Sequence, residues 1–321
     1  MPELPEVETT KRGLEKTIKG LVIKDVWTDL KTKDKRKIDT VSTPKFFEDF
    51  KKIIKNKKII SIERKAKNIL INISSGYTIL IHMKMTGHLL YGKYKYYKNE
   101  NKWLPEETQN KKHNPLKDPF NRYVHVIFSL SNKNHLAFSD MRKFGKITLF
   151  ETKTIHDSKH LKNLGPDPLS KDFNLQQFKE KLFKRKNGKI KTVLMDQTIV
   201  SGIGNIYSDE ILWRTGVRPE RKVSEINEEE FKKMWKATKE TLTKGIKFGG
   251  DSMSDYRNIY GLPGKFQLHH EAYRRTGDFC RMKIYNKNSI KKIKNAQNCK
   301  GVIIRKVIGG RSTHFCPIHQ K

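Results

Sequence analysis

Leu4, Val7, Leu14 and Ile18 recur at helical spacing with Gly20 just beyond them, which predicts a helix that starts at the chain terminus. The period then changes to two. Ile69, Ile71 and Ile73, the turn Ser74-Ser75-Gly76, and Tyr77, Ile79 and Ile81 alternate as the two arms of a β-hairpin. Val124, Val126, Phe128 and Leu130, a turn around 132–134, then Leu136 and Phe138 predict a second pair, so the first half is an antiparallel β domain. Residues 91–119 between them are polar, basic and broken by proline, and are expected to form a long flexible loop rather than a base-stacking surface, despite their tyrosines. Residues 150–170, with LGPDPL at 164–169, look like a connector.

Helical patterns take over in the second half. Residues 174–184 carry Phe178 and Leu182, a short helix is expected at 190–197, and a third at 205–215 stops at Gly216. The longest starts at Asn227, has Glu228, Glu229 and Glu230 in its first turn, presents Phe231, Trp235, Thr238 and Leu242 on one face, and ends at Gly249-Gly250. No internal repeat is visible, and the second half reads as a helical domain plus a tail.

Charge narrows the partner. The 321 residues hold 68 Lys plus Arg against 34 Asp plus Glu, a formal net charge of +34 with a pI near 10.0, which points to a polyphosphate. The basic residues are spread through periodic segments and the hydrophobic fraction is 35%, enough for packed cores, so a disordered basic tail does not account for the charge. The abundance of Lys, Asn and Ile fits an AT-rich genome, which inflates it. No run approaches the roughly 18 apolar residues of a spanning helix, and the start has no signal-peptide core, so a soluble intracellular protein without membrane contact is expected. Three cysteines in a chain this long argue against a disulfide framework.

Two places carry candidate chemistry. The chain opens MPELPEVETT, and removal of Met1 would leave the secondary amine of Pro2 as the free terminus, an unusual nucleophile. At the other end, Cys316 and His319 form a Cys-x2-His knuckle able to meet on one tetrahedral Zn2+. Cys280 and Cys299 are separated by eighteen residues, so the usual C-x2-C pair is absent, and spacing alone leaves a metal site and unrelated residues equally open.

PELPEVE, HMKMTG (82–87), DMRKFG (140–145), LGPDPL, IKTVLMDQTIVSGIGNIYSDEIL (190–212) and GGRSTHFCP occur in one order along nearly the whole chain. In that order they resemble the formamidopyrimidine-DNA glycosylases, within the broader family that includes endonuclease VIII, and PELPEVE is closer to the former. The resemblance implies an α+β fold: an N-terminal helix with an antiparallel β-sandwich at 1–150, a linker at 151–170, a helix-two-turn-helix domain at 171–265, and a zinc-finger β-hairpin at 266–321. It also implies a monomeric base-excision-repair glycosylase and apurinic/apyrimidinic lyase that acts on damaged double-stranded DNA by β,δ-elimination, located inside the cell with its DNA.

Residue by residue, the resemblance makes Pro2 the nucleophile that forms an iminium with the deoxyribose. A terminal amine suits this, because it titrates nearer neutrality than lysine at about 10.4 and a helix N-terminus disfavours its protonated form. Glu3 matches the general acid and Glu6 a second glutamate that holds the flipped nucleotide, whereas acidic first-turn residues ordinarily only complement the helix dipole. Lys67 matches the lysine that grips the lesion phosphate, with Lys65 as the possible mis-assignment. Met85, Arg142 and Phe144 match the residues that fill the hole left by the extruded base, although Met and Phe in a β domain are ordinarily core. Lys143 stands where an arginine is usual, and meets phosphate as a point charge. Lys191, Asn205 and Arg311 match phosphate contacts.

Matched to the family's finger, Cys280, Cys299 and Cys316 fall at cysteine positions and His319 replaces the fourth, which favours a structural Zn2+ on a Cys3His set over the metal-free finger of some relatives. Residues 250–256 and 264–266 resemble the loop over the oxidised base but depart from it at NIYGLPG. Oxidised purines and formamidopyrimidines therefore lead as substrates, with oxidised pyrimidines open. Two other readings remain: a catalytically inactive DNA-binding protein of the same fold, and an RNA-binding one that leaves MPELPEVE unexplained.

Overall fold

The alternating isoleucines form the strands they predict. In the computed structural model, which describes residues 1–34, 37–107, 114–285 and 296–321, the elements run α1 (Leu4–Thr17), β1 (Ile23–Thr28), α2 (Pro44–Ile54), β2 (Ile59–Lys65), β3 (Asn68–Ile73), β4 (Tyr77–His82), β5 (His88–Gly92), β6 (Tyr94–Tyr97), β7 (Lys102–Pro105), β8 (Val124–Leu130), β9 (His135–Ser139) and β10 (Lys146–Glu151). The second half contributes α3 (Leu175–Phe183), α4 (Ile190–Leu194), α5 (Asn205–Thr215), α6 (Glu228–Lys247), β11 (Lys283–Tyr285), β12 (Ala296–Asn298), β13 (Ile304–Ile308) and β14 (Arg311–Phe315). The chain divides into two compact units, residues 1–162 with 245–267, and 163–244 with 268–321.

The first unit is a sandwich of two antiparallel four-stranded sheets, ordered β1-β8-β9-β5 and β10-β4-β3-β2. Ile69 faces Ile81 and Ile71 faces Ile79 across β3 and β4, so their buried side chains meet Val126, Phe128 and Phe138 of the other sheet in one core. Val7, Leu14 and Ile18 of α1 and Phe50 and Ile54 of α2 close that core.

Residues 91–119 are not the long loop expected. Tyr94 to Tyr97 pair with Lys102 to Pro105, and Tyr94, Trp103 and Leu116 pack with Trp27 on Leu90, Val124, Ile127 and Ala137, the outer side of the β1-β8-β9-β5 sheet. This explains why β8 is buried on both faces. Alternating lysines disguise the hairpin, since its buried residues are aromatic. Residues 108–113 of that expectation lie outside the described residues.

The two units also group the chain differently from the blocks 171–265 and 266–321. After α6, the backbone turns through Gly249 and Gly250 and returns to α1, where the Asp251 N–H donates to the Glu6 carboxylate at 2.7 Å. Gly250 is needed there: its φ is +87°, and a Cβ would lie 2.9 Å from Glu6 Cγ. In the second unit, the buried Glu210 of α5 accepts the N–H groups of Glu271, Ala272 and Tyr273, which fixes the tail on that helix. Among the described residues no helix is long and apolar enough to cross a membrane.

Candidate active site

Pro2 precedes α1, and Glu3 is the helix N-cap. Glu3 and Glu6 form a reciprocal capping box in which the Glu3 N–H donates to Glu6 Oε2 at 2.7 Å. Both carboxylates are almost fully buried, at 2% and 1% exposure. A cap does not require that burial, and an exposed one would satisfy the same N–H groups. Burial and the nearby charge of Glu3 push the Glu6 carboxyl from 4.5 to about 7, against the lowering effect of two backbone donors. Tyr256 covers the same turn by donating its hydroxyl to the Glu6 carbonyl at 3.1 Å.

Lys67 occupies the β2–β3 turn, beside Ala66 in a left-handed conformation (φ 55°), and is 6% exposed. Arg64 bonds Glu8 of α1 through Nε at 2.7 Å and the Ala66 carbonyl through a second nitrogen at 3.2 Å, so the turn is tied to the helix that carries Glu3 and Glu6. His82, at the end of β4, is kept neutral: burial first, then Lys84 and Lys67, lower it to about 3.

Met85 and the segment Arg142–Phe144 sit on two loops joined by buried groups. Thr86 Oγ1 donates to Asp140 Oδ1, the Arg142 N–H donates to Thr86 Oγ1 at 3.1 Å, and the Gly145 N–H to Asp140 Oδ2 at 2.7 Å. The side chains they present are exposed although apolar, Met85 at 39% and Phe144 at 44%. The Arg142 guanidinium lies 4.5 Å from the Phe144 ring centre. Lys143, also left-handed at φ 54°, is exposed.

In the second unit Lys191, expected to meet phosphate, has its ammonium inside the protein. It is fully buried, with Nζ on Asp209 Oδ1 at 2.6 Å, Ser208 Oγ at 2.7 Å and the Asn205 carbonyl at 2.8 Å. The neighbouring carboxylate explains this, because a buried ammonium needs a paired acceptor. Asn205 opens α5 and donates Nδ2 to the Ser312 carbonyl, next to the exposed Arg311 at the start of β14.

The sulfur and nitrogen atoms of Cys280, Cys299, Cys316 and His319 all lie within 4.8 Å of one another, so the long insert does not keep the first two cysteines apart. The donors suit a tetrahedral zinc. Cys299 and Cys316 Sγ are 3.7 Å apart, close to the edge of about 3.8 Å expected for bonds of about 2.3 Å, and far from a disulfide. His319 donates Nε2–H to the Trp213 carbonyl at 2.8 Å, leaving Nδ1 as an acceptor 3.2 Å from Cys280 Sγ. The Trp213 indole N–H and the Gly301 N–H donate to Cys280 and Cys299 Sγ, both at 3.3 Å.

Two family profiles match most of the chain. The profile described as the formamidopyrimidine-DNA glycosylase N-terminal domain matches residues 1–147, and that of the formamidopyrimidine-DNA glycosylase H2TH domain matches 164–257. The formamidopyrimidine-DNA glycosylase of Pelotomaculum thermopropionicum is 35% identical over 321 residues, covering 100% of this chain and 99% of the relative. The chain belongs to the formamidopyrimidine-DNA glycosylase family. The Bacillus cereus enzyme of that name is 33% identical over 320 residues, covering 100% and 99%. A crystal structure of Lactococcus lactis Fpg with DNA containing N7-benzyl-Fapy-dG aligns with a TM-score of 0.77 at 30% identity over 100% of both chains. The Lactococcus lactis Fpg complex with abasic-site DNA aligns at 0.77 and 29%, over 99% of each.

In this family member the motifs gave no holding role to the residues that keep the candidates in place: Thr86 and Asp140 under the exposed loops, Asp251 and Tyr256 over Glu6, Asp209 within α5, and Trp213 at the finger. The Thr and Asp of HMKMTG and DMRKFG were visible as motif members. Asp251 and Tyr256 stood in the segment resembling the loop over the oxidised base, but their bonds to Glu6 left no pattern, because that partner lies some 245 residues away.

Proposed function

We propose that the protein is a bifunctional DNA glycosylase and apurinic/apyrimidinic lyase that removes oxidised purines and ring-opened formamidopyrimidines from duplex DNA. The observation that carries this reading is the start of α1, where two carboxylates are buried beside Pro2 although capping alone does not require it. Family membership supports the substrate class.

With Met1 removed, the Pro2 amine attacks C1′ of the damaged nucleotide and forms a C–N bond while the base leaves carrying a proton. Glu3 protonates the sugar ring oxygen, and ring opening gives an iminium on the proline nitrogen. The iminium acidifies the C2′ proton; its loss expels the 3′ phosphate, and a second elimination expels the 5′ phosphate. Glu6 keeps the extruded nucleotide in register, and Lys67 grips the lesion phosphate. Met85, Arg142 and Phe144 fill the vacated stack, Lys143 meets phosphate, and the N-terminus of α5 with Asn205 and Arg311 grips the backbone. Lys191 acts from below, by holding the Asn205 carbonyl and Asp209. Zinc on Cys280, Cys299, Cys316 and His319 supplies rigidity to the hairpin and no chemistry.

Borohydride trapping tests the reading. Duplexes carrying 8-oxoguanine, a formamidopyrimidine or an abasic site are expected to give a covalent adduct that disappears when the terminal amine is blocked. Tight duplex binding without adduct on any substrate would establish the inactive DNA-binding protein instead.

A further inference from the structure

The segment that covers Glu6 is not held by α1 alone. Residues 251–262 form a strap, and residues 114–121, which lead from the β6–β7 hairpin into β8, also tie it within the same unit. Asp118 caps the turn at 119–121, its Oδ1 accepting the Phe120 N–H at 2.9 Å, and offers Oδ2 to Arg257 Nε at 3.0 Å. The Arg257 guanidinium also lies 4.5 Å from the Phe120 ring centre, and one of its nitrogens donates to the carbonyls of Ser254, at 3.1 Å, and Tyr256, at 2.9 Å. One side chain thus closes the arc 254–256 and anchors it.

A second tie lies beyond it. The buried Asn121 accepts the His88 Nε2–H through Oδ1 at 2.9 Å, and it donates Nδ2 to the carbonyls of Pro115 and Gly261. The fit is close, since Gly261 has φ +82° and a Cβ there would lie 2.6 Å from the Pro115 carbonyl oxygen.

An arginine–aspartate pair this far from bulk water, Arg257 nearly buried and Asp118 only partly so, is a poor way to gain stability, because desolvation offsets much of its attraction. What it supplies is a fixed geometry, and that geometry is transmitted to the candidate active site. Tyr256, whose carbonyl Arg257 holds, donates its hydroxyl to the Glu6 carbonyl; Ser252 Oγ donates to the same Tyr256 carbonyl at 2.7 Å; and the Asp251 N–H reaches Glu6 Oε1 at 2.7 Å. We propose that Arg257, clamped by Asp118, is a positioning residue for base removal, holding the 251–262 strap so that Glu6 and the strap face the extruded base in one arrangement. The inference rests on the glycosylase reading above. It separates two activities: base removal needs the strap, whereas cleavage of a preformed abasic site has no base to position.

The test compares single-turnover excision from a formamidopyrimidine duplex with cleavage of an abasic-site duplex, using wild type, Arg257→Leu, Asp118→Asn and the exchanged pair Asp118→Arg with Arg257→Asp. The two single variants are expected to slow excision roughly tenfold or more while abasic-site cleavage, which also reports folding, stays within about twofold, and the exchanged pair recovers part of the loss. Variants that lose both activities in proportion, or lose neither, overturn the inference and leave the activity reading intact. A wild type inactive on both duplexes overturns the activity reading and the inference with it.

Discussion

Ala66, Lys84 and Lys143 share a conformation that L-residues rarely adopt, with φ of 55°, 55° and 54°, and each adjoins a candidate site residue: Lys67, Met85, and Arg142 with Phe144. Such backbone costs of order 1 kcal/mol and concentrates at functional loops. Lys143 separates the cost from the function, because its backbone bonds to Asp140 and Lys37 survive any side-chain change. Lys143→Gly is expected to raise unfolding stability by up to about 1 kcal/mol in denaturant titration. The same change is expected to weaken duplex binding and reduce its salt slope by about 1. Glu6 offers a prediction with a definite sign. Its carboxyl is raised in the folded protein from 4.5 to about 7, so between those values the folded state holds the proton more tightly than the unfolded chain does, and stability falls as pH rises through that window. Glu6→Gln loses one acceptor at every pH but escapes this loss. Between pH 5 and pH 8 the stability gap is therefore expected to move in favour of the variant, by up to about 3 kcal/mol. Thermal unfolding of both proteins across that range checks it, and a constant gap would count against a raised Glu6.

At the scale of elements, legibility depended on what covers each element. β3, β4, β8 and β9 were readable because one of their faces meets an aliphatic core, which forces alternation. β6 and β7 were not, since their inner residues are tyrosine, tryptophan and proline interleaved with lysine. The β1, β2, β5 and β10 strands carry weaker periodicity and take their form from pairing with neighbours, whereas α2 is strongly amphipathic, with Phe46, Phe47, Phe50 and Ile54 on the core side, and was legible although it went unread. The return of 245–267 to the first unit was hidden for a different reason: it is set by bonds from Asp251 and Tyr256 to Glu6, and a long-range pair leaves no local pattern. Motif order located Lys191 in IKTVLMDQ but could not show that its ammonium is spent on Asp209, Ser208 and Asn205 inside the second unit. This gives a direct test. Lys191→Met leaves Asp209 without its buried cation and is expected to cost about 3 kcal/mol of stability, measured by denaturant unfolding. A residue acting only on phosphate would instead lower DNA affinity and leave unfolding unchanged.

Across the whole molecule, the net charge of +34 makes binding to any duplex strong at low salt, so affinity alone says little about the finger. The slope of affinity against salt is more informative, because it reports the phosphates that basic residues neutralise. Arg311 starts β14 immediately after the Gly309-Gly310 turn, and that hairpin leads at Cys316 directly into the Cys3His cluster. Burial pushes the Cys280 thiol up to about 12 with no cation beside it, so that sulfur has only weak bonds, the Trp213 indole's among them, and a bound cation would convert it into a fixed thiolate ligand. Removal of zinc with a strong chelator, or Cys316→Ala, is therefore expected to release the hairpin, lower duplex affinity at moderate salt by at least about tenfold, and make the salt slope shallower. His319→Cys should keep both metal and slope, since the cysteine offers a soft donor in the same tetrahedral set. Metal analysis alongside binding titrations at several salt concentrations distinguishes the outcomes. An unchanged slope in a demonstrably zinc-free protein would show that the hairpin is held by its packing on Trp213 and Ile303 rather than by a metal.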